Sequence, residues 1–146
     1  MKIIFRTRIR RPLGEVKAGF DRALFEYLAP PGVPFKLLRF DGCKKDDEVH
    51  IELNTLGVKQ LWVSVMTLES QDASSWFFLD EGKILPWPLS RWKHEHRVDR
   101  IGDMDSEIVD DISFSTSPAF MAPVIYPILW LIFSLRPKRY KNFFEV

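Results

Sequence analysis

The chain has a single cysteine among its 146 residues, Cys43, so no internal disulfide can staple it. One free thiol suits a reducing compartment, and a cytoplasmic location is expected. An excess of charge of one sign is also missing, with a formal net charge of +1 at pH 7. Nucleic-acid binders usually gather a basic excess on one face, so no nucleic-acid partner is expected. The seven glycines form no phosphate-cradling loop, since Gly14 and Gly19 stand alone. Neither a serine nor Cys43 lies in a recognisable nucleophile context. The opening residues alternate charged and apolar side chains, so the apolar stretch of a signal peptide is not expected there. Repeats, low-complexity tracts and linkers are absent. The length fits one domain over residues 1–146, able to bury a core without disulfides or metal staples.

What is abundant is aromatic bulk: twelve Phe and five Trp, enough to fill a core or to line an apolar pocket. Lys2 to Arg10 alternates, with Ile3, Phe5, Thr7 and Ile9 on one face and a largely basic set on the other, which predicts a strand. Pro12 ends it. Val16, Phe20, Leu24 and Leu28 then recur every four residues, an amphipathic helical pattern over Leu13–Leu28, in two pieces if broken near Gly19. The run from Ala29 to Pro34 forces a loop. Strand signals follow at Phe35–Cys43, Glu48–Asn54, Gln60–Ser70, Ser74–Leu79, Arg91–Ile101 and Glu107–Thr116, with a turn expected at Asp80–Lys83 and a hairpin around Gly102–Asp105. Spacings of roughly ten residues between turn signals indicate an antiparallel meander. The expected class is α+β in the order β-α-β6-α, a curved antiparallel sheet of about seven strands around a long C-terminal helix, with a cavity between them.

The residues with chemistry cluster on the expected β-hairpin. Trp92, His94, His96 and Val98 share one face of an extended strand, and Lys93, Glu95 and Arg97 the other. On the next strand Asp110 shares a face with Ile108, Ile112 and Phe114. A three-residue loop places Asp110 opposite His96 or one pair away, with Asp111 facing outward. A buried carboxylate needs a partner, and a cross-strand imidazole supplies one. Three readings of His94, His96 and Asp110 stay open: a self-satisfied polar network that fixes register, ligand recognition at a cavity wall, and metal binding. The third lacks a third imidazole, because His50 alternates with Glu48 and Glu52 on the polar face. No metal and no cofactor are therefore expected. Trp62, Phe78, Trp92, Phe114, Tyr126 and Trp130 are the aromatic candidates for the pocket wall.

The order of elements, the Trp92-x-His94-x-His96 strand and Asp110-x-Ile112-x-Phe114 resemble the START-like, or SRPBCC, superfamily. An apolar C-terminal helix ending in Arg136, Arg139, Tyr140, Phe143 and Phe144 strengthens that resemblance, more narrowly to its uncharacterised bacterial ligand-binding branch. The resemblance implies a helix-grip fold, related to birch-pollen allergens and polyketide cyclases, with a cavity for lipids, sterols, polyketides or other apolar molecules. Its members include carriers, regulators and a minority of enzymes, and it transfers no catalytic residue. The expected function is non-catalytic binding of an apolar or amphipathic small molecule. The alternatives are a cyclase- or dehydratase-type enzyme using a cavity histidine, or an interaction module.

The uncharged run Pro118–Leu135 bears on the last alternative. Ser117 and Pro118 read as a helix N-cap and first turn, and Pro123 and Pro127 predict an irregular start before regular helix to about Arg139. The run approaches the roughly 20 residues of a membrane span, but two prolines weaken that reading. It is apolar on all sides, whereas a gripped helix needs one wet face. Homodimer contact or membrane-surface docking through residues 118–135 would account for this. So would a kinked lid whose proline-bearing half, Pro118–Pro127, stands at the cavity entrance.

Overall fold

A computed structural model describes residues 1–146. Seven strands form one antiparallel sheet: β1 (Lys2–Ile9), β2 (Phe35–Phe40), β3 (Glu48–Thr55), β4 (Val58–Gln71), β5 (Ser75–Ile84), β6 (Leu89–Arg100) and β7 (Ser106–Thr116). Their spatial order is β1-β7-β6-β5-β4-β3-β2, so the meander runs across the sheet and the first strand returns to pair with the last. Between β1 and β2 lie α1 (Leu13–Ala18) and α2 (Arg22–Tyr27), separated at Gly19 and restarted by the Asp21 side chain, which accepts from the Leu24 N–H. After β7 come a 3₁₀ turn (Ala119–Met121), α3 (Ala122–Ser134) and α4 (Arg136–Phe144). The α+β class and the seven-stranded curved sheet over a C-terminal helix match the sequence reading.

Alternation fixes which side of the sheet is buried. On β1, Ile3, Thr7 and Ile9 are buried, while outward Lys2, Arg6 and Arg8 pair with Asp111, Glu107 and Asp105. The N-terminal basic run is thus a cross-strand charge ladder, worth little individually at an exposed surface.

Four local expectations are corrected. Asp80–Lys83 is not a turn: β5 runs through it to Ile84, and β4 accommodates it with register shifts at Val63/Ser64 and Met66/Leu68. The reversal comes instead at Leu85–Pro88, where proline breaks the pairing. Ser117 does not cap the helix, because Pro118 precedes the 3₁₀ turn and the Thr116 hydroxyl donates to the Pro118 carbonyl. Pro123 falls in the first turn of α3, where its missing N–H has no partner to lose, so only Pro127 lies inside. Helix continues past Arg139 to Phe144, re-initiated at Arg136 with Pro137 in its first turn.

The interior has two apolar clusters. One gathers Val16, Leu24, Trp76, Val98, Ile108 and Tyr140 beneath α1, α2 and α4. The other gathers Ile3, Trp92, Ile112, Phe114, Leu129 and Phe133 beneath α3. Along β6 the inward residues pass from Trp92 in one cluster, through His94 and His96, to Val98 in the other. Along β7 they pass from Ile112 through Asp110 to Ile108, and along the C-terminal helices from Phe133 through Arg136 to Tyr140. A polar layer therefore crosses the core where the clusters meet.

Candidate functional site

Strand pairing assembles this layer. Asp110 sits directly opposite His96 on β7, and Asp80 directly opposite His94 on β5. All four side chains point to the concave face, so β6 carries two imidazoles between two carboxylates. The closest bond is diagonal: His94 Nε2 donates to Asp110 Oδ1 at 2.8 Å. Arg136 Nη1 and the Tyr140 hydroxyl, one helical turn apart, each donate to the same oxygen at 3.3 Å. Asp110 is 1% exposed and His94 2%.

The charge states follow from burial set against neighbours. Burial raises the Asp110 carboxyl, but the His94 hydrogen bond and the Arg136 charge hold it well below the usual carboxylate range. Burial, aided by repulsion from His96, drives His94 down to about 4 despite Asp110, so its imidazole is neutral at pH 7. Arg136 stays charged above its ordinary value, since Tyr140 and Asp110 outweigh its burial. Its guanidinium also lies 4.4 Å from the Phe133 ring centre.

His96 and Asp80 are placed differently. His96 stacks on Phe78 at 4.4 Å and on His94 at 3.6 Å between ring centres. Its Nε2 is 3.9 Å from Asp80 Oδ2 and its Nδ1 3.7 Å from Asp110 Oδ1, both beyond hydrogen-bond reach. Asp80 Oδ1 and His96 Nδ1 are buried without a hydrogen-bond partner. Burial raises the Asp80 carboxyl, yet the His96 and His94 imidazoles prevail and hold it ionised, below its ordinary value.

Beside this layer is a cavity of about 170 Å³, lined by Trp62, Trp92, Leu129, Ile132 and Phe133 on one side and Asp80, His94, His96 and Arg136 on the other. The α2–β2 loop contributes Ala29, Pro30 and Val33. A second space of about 40 Å³ shares Asp80, His96 and Arg136 with it and reaches Phe20, Phe78 and Cys43.

Of the nine residues singled out from sequence, Trp62, Trp92, His94 and His96 line the larger space, and Phe78 the smaller. Asp110 lies behind the wall, consumed by its three donors. Phe114 is buried in the α3 cluster, and Tyr126 packs against that cluster without reaching the cavity. Trp130 is half-exposed against Phe5 near the β1 edge, because it follows Leu129 by one position and points off the inward face. The proline-bearing half of α3 does not line the cavity, whose helical wall begins at Leu129. His50 bonds to Glu48 at 3.0 Å on the polar face, away from the pair.

Sequence reasoning missed Asp80, Arg136 and Tyr140. Asp80 continues the alternation of Trp76 and Phe78, a signal masked by the turn-like Asp-Glu-Gly-Lys that begins there. Arg136 and Tyr140 are spaced i, i+4 on a helix, the signal that could have lifted Arg136 out of the basic tail.

No family model matches the chain, and no curated protein matches it in sequence. Solved structures do match in shape. A hypothetical protein from Helicobacter pylori superposes with TM-score 0.71 at 12% identity, covering 99% of this chain and 88% of the other. The Zhui aromatase/cyclase of Streptomyces sp. R1128 gives 0.58 at 13%, covering 80% and 68%. A START superfamily protein from Mycobacterium smegmatis gives 0.56 at 8%, covering 94% and 97%. At these identities the likeness is one of fold, and the fold of this chain is the START-like helix grip.

Proposed function

We propose that the protein is a single-domain, non-catalytic carrier or sensor that holds a small, mainly apolar molecule in the cavity under α3. The observation that carries this reading is the cavity itself: about 170 Å³, walled by two tryptophans and aliphatic side chains, with a few convergent polar groups at one end. A cavity of about 150 Å³ with apolar walls admits a benzene-sized guest, so one aromatic ring with a short substituent fits. A sterol or diacyl lipid would require α3 to move away. The cyclase- or dehydratase-type alternative keeps only His96 as its acid or base, since His94 is committed to Asp110 and protonates only near pH 4. The free Cys43 supports a cytoplasmic setting. Native mass spectrometry of gently purified protein tests the reading, with a low-mass adduct lost on denaturation as the expected result. Protein that carries no adduct, and binds no single-ring compound by ligand-observed NMR, refutes it.

A second surface accompanies the cavity. Residues Ala119–Phe144 are long and apolar enough in aggregate to cross a membrane, with mean hydropathy 1.6 in the best window, of which 11% is buried. Phe120 (73% exposed), Val124, Ile128, Leu131 (61% exposed) and Leu135 form one outward stripe at helical spacing. No Asp or Glu occurs between Asp111 and Glu145, whereas Arg136, Lys138, Arg139 and Lys141 do. We infer that this stripe docks on an anionic lipid surface, with exposed Lys138 and Lys141 beyond its C-terminal end. Flotation with phosphatidylglycerol vesicles but not with phosphatidylcholine vesicles is expected, and loss of flotation in Leu131→Glu. A concentration-dependent dimer in light scattering, without flotation, would assign the stripe to a second copy instead.

A further inference from the structure

The polar end of the cavity can be read for the chemistry of its guest, an argument that rests on the small-molecule reading above. Its fixed charges are Asp80 and Asp110, both negative, and Arg136, positive. Arg136 is spent on Asp110, 3.3 Å away, together with His94 and Tyr140. Asp80 has no counterpart: its nearest cationic candidate is His96 Nε2 at 3.9 Å, and its Oδ1 is buried with no donor. No cationic group within hydrogen-bond reach neutralises Asp80.

The proton positions make the site rich in acceptors. His94 spends its N–H at Nε2 on Asp110, a carboxylate that can only accept, so its Nδ1 keeps the lone pair. His96 lies between the carboxylates, but Asp110 already has three donors and Asp80 has none. His96 turns Nε2 towards Asp80 and Nδ1 towards Asp110, at 3.9 and 3.7 Å, and its Nδ1 has no hydrogen-bond partner. Asp80, His94 and His96 can each offer one atom, these atoms lying within 4.8 Å of one another.

A bound of 4.8 Å admits both an ammonium, whose tetrahedral acceptors lie about 4.7 Å apart, and zinc, whose ligands lie about 3.4 Å apart. Direction and not spacing therefore separates the two. The two imidazoles also lie face to face, 3.6 Å between centres and 29° between planes, so their lone pairs run side by side and do not converge. A metal needs convergence, whereas three N–H bonds on a rotatable ammonium tolerate the divergence. An anionic group would instead meet Asp80.

We propose that the cavity takes a small primary amine with an aromatic or branched apolar body, its ammonium held by Asp80, His94 and His96 and its body against Trp62, Trp92 and Phe133. The volume of about 170 Å³ suits one ring and a short arm. Between guests, water can occupy the acceptors, and the ammonium displaces it.

The test uses three probes of one shape: 2-phenylethylamine, neutral 2-phenylethanol and anionic 3-phenylpropionate. Binding to the full chain is read by calorimetry and by the fluorescence of the wall tryptophans. The amine is expected to bind roughly ten-fold or more tighter than the alcohol, as a charge-assisted bond allows, with the acid weakest. Asp80→Asn should bring amine and alcohol to the same affinity while the alcohol keeps its own. Equal binding of all three, or an amine preference that survives Asp80→Asn, overturns the ammonium site and leaves the cavity reading standing. No binding of any probe overturns both. Stoichiometric zinc retained by the purified protein and lost in Asp80→Asn would overturn the amine in favour of a metal. The wild-type comparison needs no variant, so a poorly folding Asp80→Asn cannot shelter the proposal.

Discussion

Acidification should strike this fold through His94 before it reaches the carboxylates. His94 is 2% exposed, and burial, His96 and Arg136 outweigh Asp110, lowering it from 6.5 to about 4. In the unfolded chain the same imidazole titrates at its ordinary value. Between those pH values the unfolded state binds a proton that the native state refuses, so stability is complete above about pH 6.5 and falls as pH drops towards 4. At about 1.4 kcal/mol per pH unit the loss is about 3 kcal/mol, against typical totals of about 5–15 kcal/mol. The depressed carboxyls of Asp80 and Asp110 act in a separate, lower window, below the ordinary range near 4, where their stabilising charge is lost. Urea unfolding at intervals from about pH 7 to pH 4.5 would measure the slope. His94→Gln serves as the reference, since its amide can still donate to Asp110 but cannot titrate. The wild type should lose about 2–3 kcal/mol more than the variant across the window. Parallel curves for the two proteins would refute the assignment of the slope to His94.

Four further outcomes follow from local features. Asp110→Asn strands the Arg136 guanidinium in a buried site and should cost about 3–5 kcal/mol in urea unfolding, whereas Tyr140→Phe removes one of three donors and should cost about 1 kcal/mol. Leu56 and Gly57 form the two-residue turn between paired Thr55 and Val58, with φ of +52° and +81°; Leu56→Asn supplies the residue such a turn favours and should stabilise by about 1 kcal/mol, seen as a higher urea midpoint at unchanged m. Burial and nearby carboxylates push the Cys43 thiol up to about 12, so at pH 8 a thiol reagent should label native protein slowly and urea-unfolded protein fast.

How much of this was legible in the sequence divides by the range of the signal. Period-two alternation in β1, β3, β6 and β7 assigned faces correctly, and the hairpin at Gly102 narrowed Asp110 to a position opposite His96 or one pair away, of which the structure takes the first. The helix break at Gly19 was likewise visible as a local interruption; a Cβ there would run into the Phe144 ring, 125 positions away only in sequence. Signals failed where tertiary contact overrode local chemistry. Asp80–Lys83 has turn composition, yet flanking pairing with both β4 and β6 holds its first residues extended. Arg136 sits among surface-like cations, and only the fold of α4 against the sheet brings it to Asp110. Trp130 reads as a pocket residue in composition, but its position one step after Leu129 turns it outward.

The two carboxylates show why such a layer separates into structure and function. Asp80 and Asp110 flank the same pair of imidazoles on neighbouring strands, in equivalent cross-strand positions. Asp110 has three donors, one of them a cation, and every partner comes from β6 or α4, so its bonds hold the C-terminal helix to the sheet and tie the two apolar clusters together. Nothing a ligand offers could improve it. Asp80 has the same charge and an oxygen as deeply enclosed, without a donor and beside an open cavity. An unpartnered buried polar atom costs about 1–3 kcal/mol, more for a charged group. A fold that merely needed a polar crosslink would gain by replacing Asp80 with an apolar residue or by bonding it as it bonds Asp110. The difference between the two sites is the room for a guest beside one of them, and this is why binding is assigned to the Asp80 side of β6 and helix anchoring to the Asp110 side.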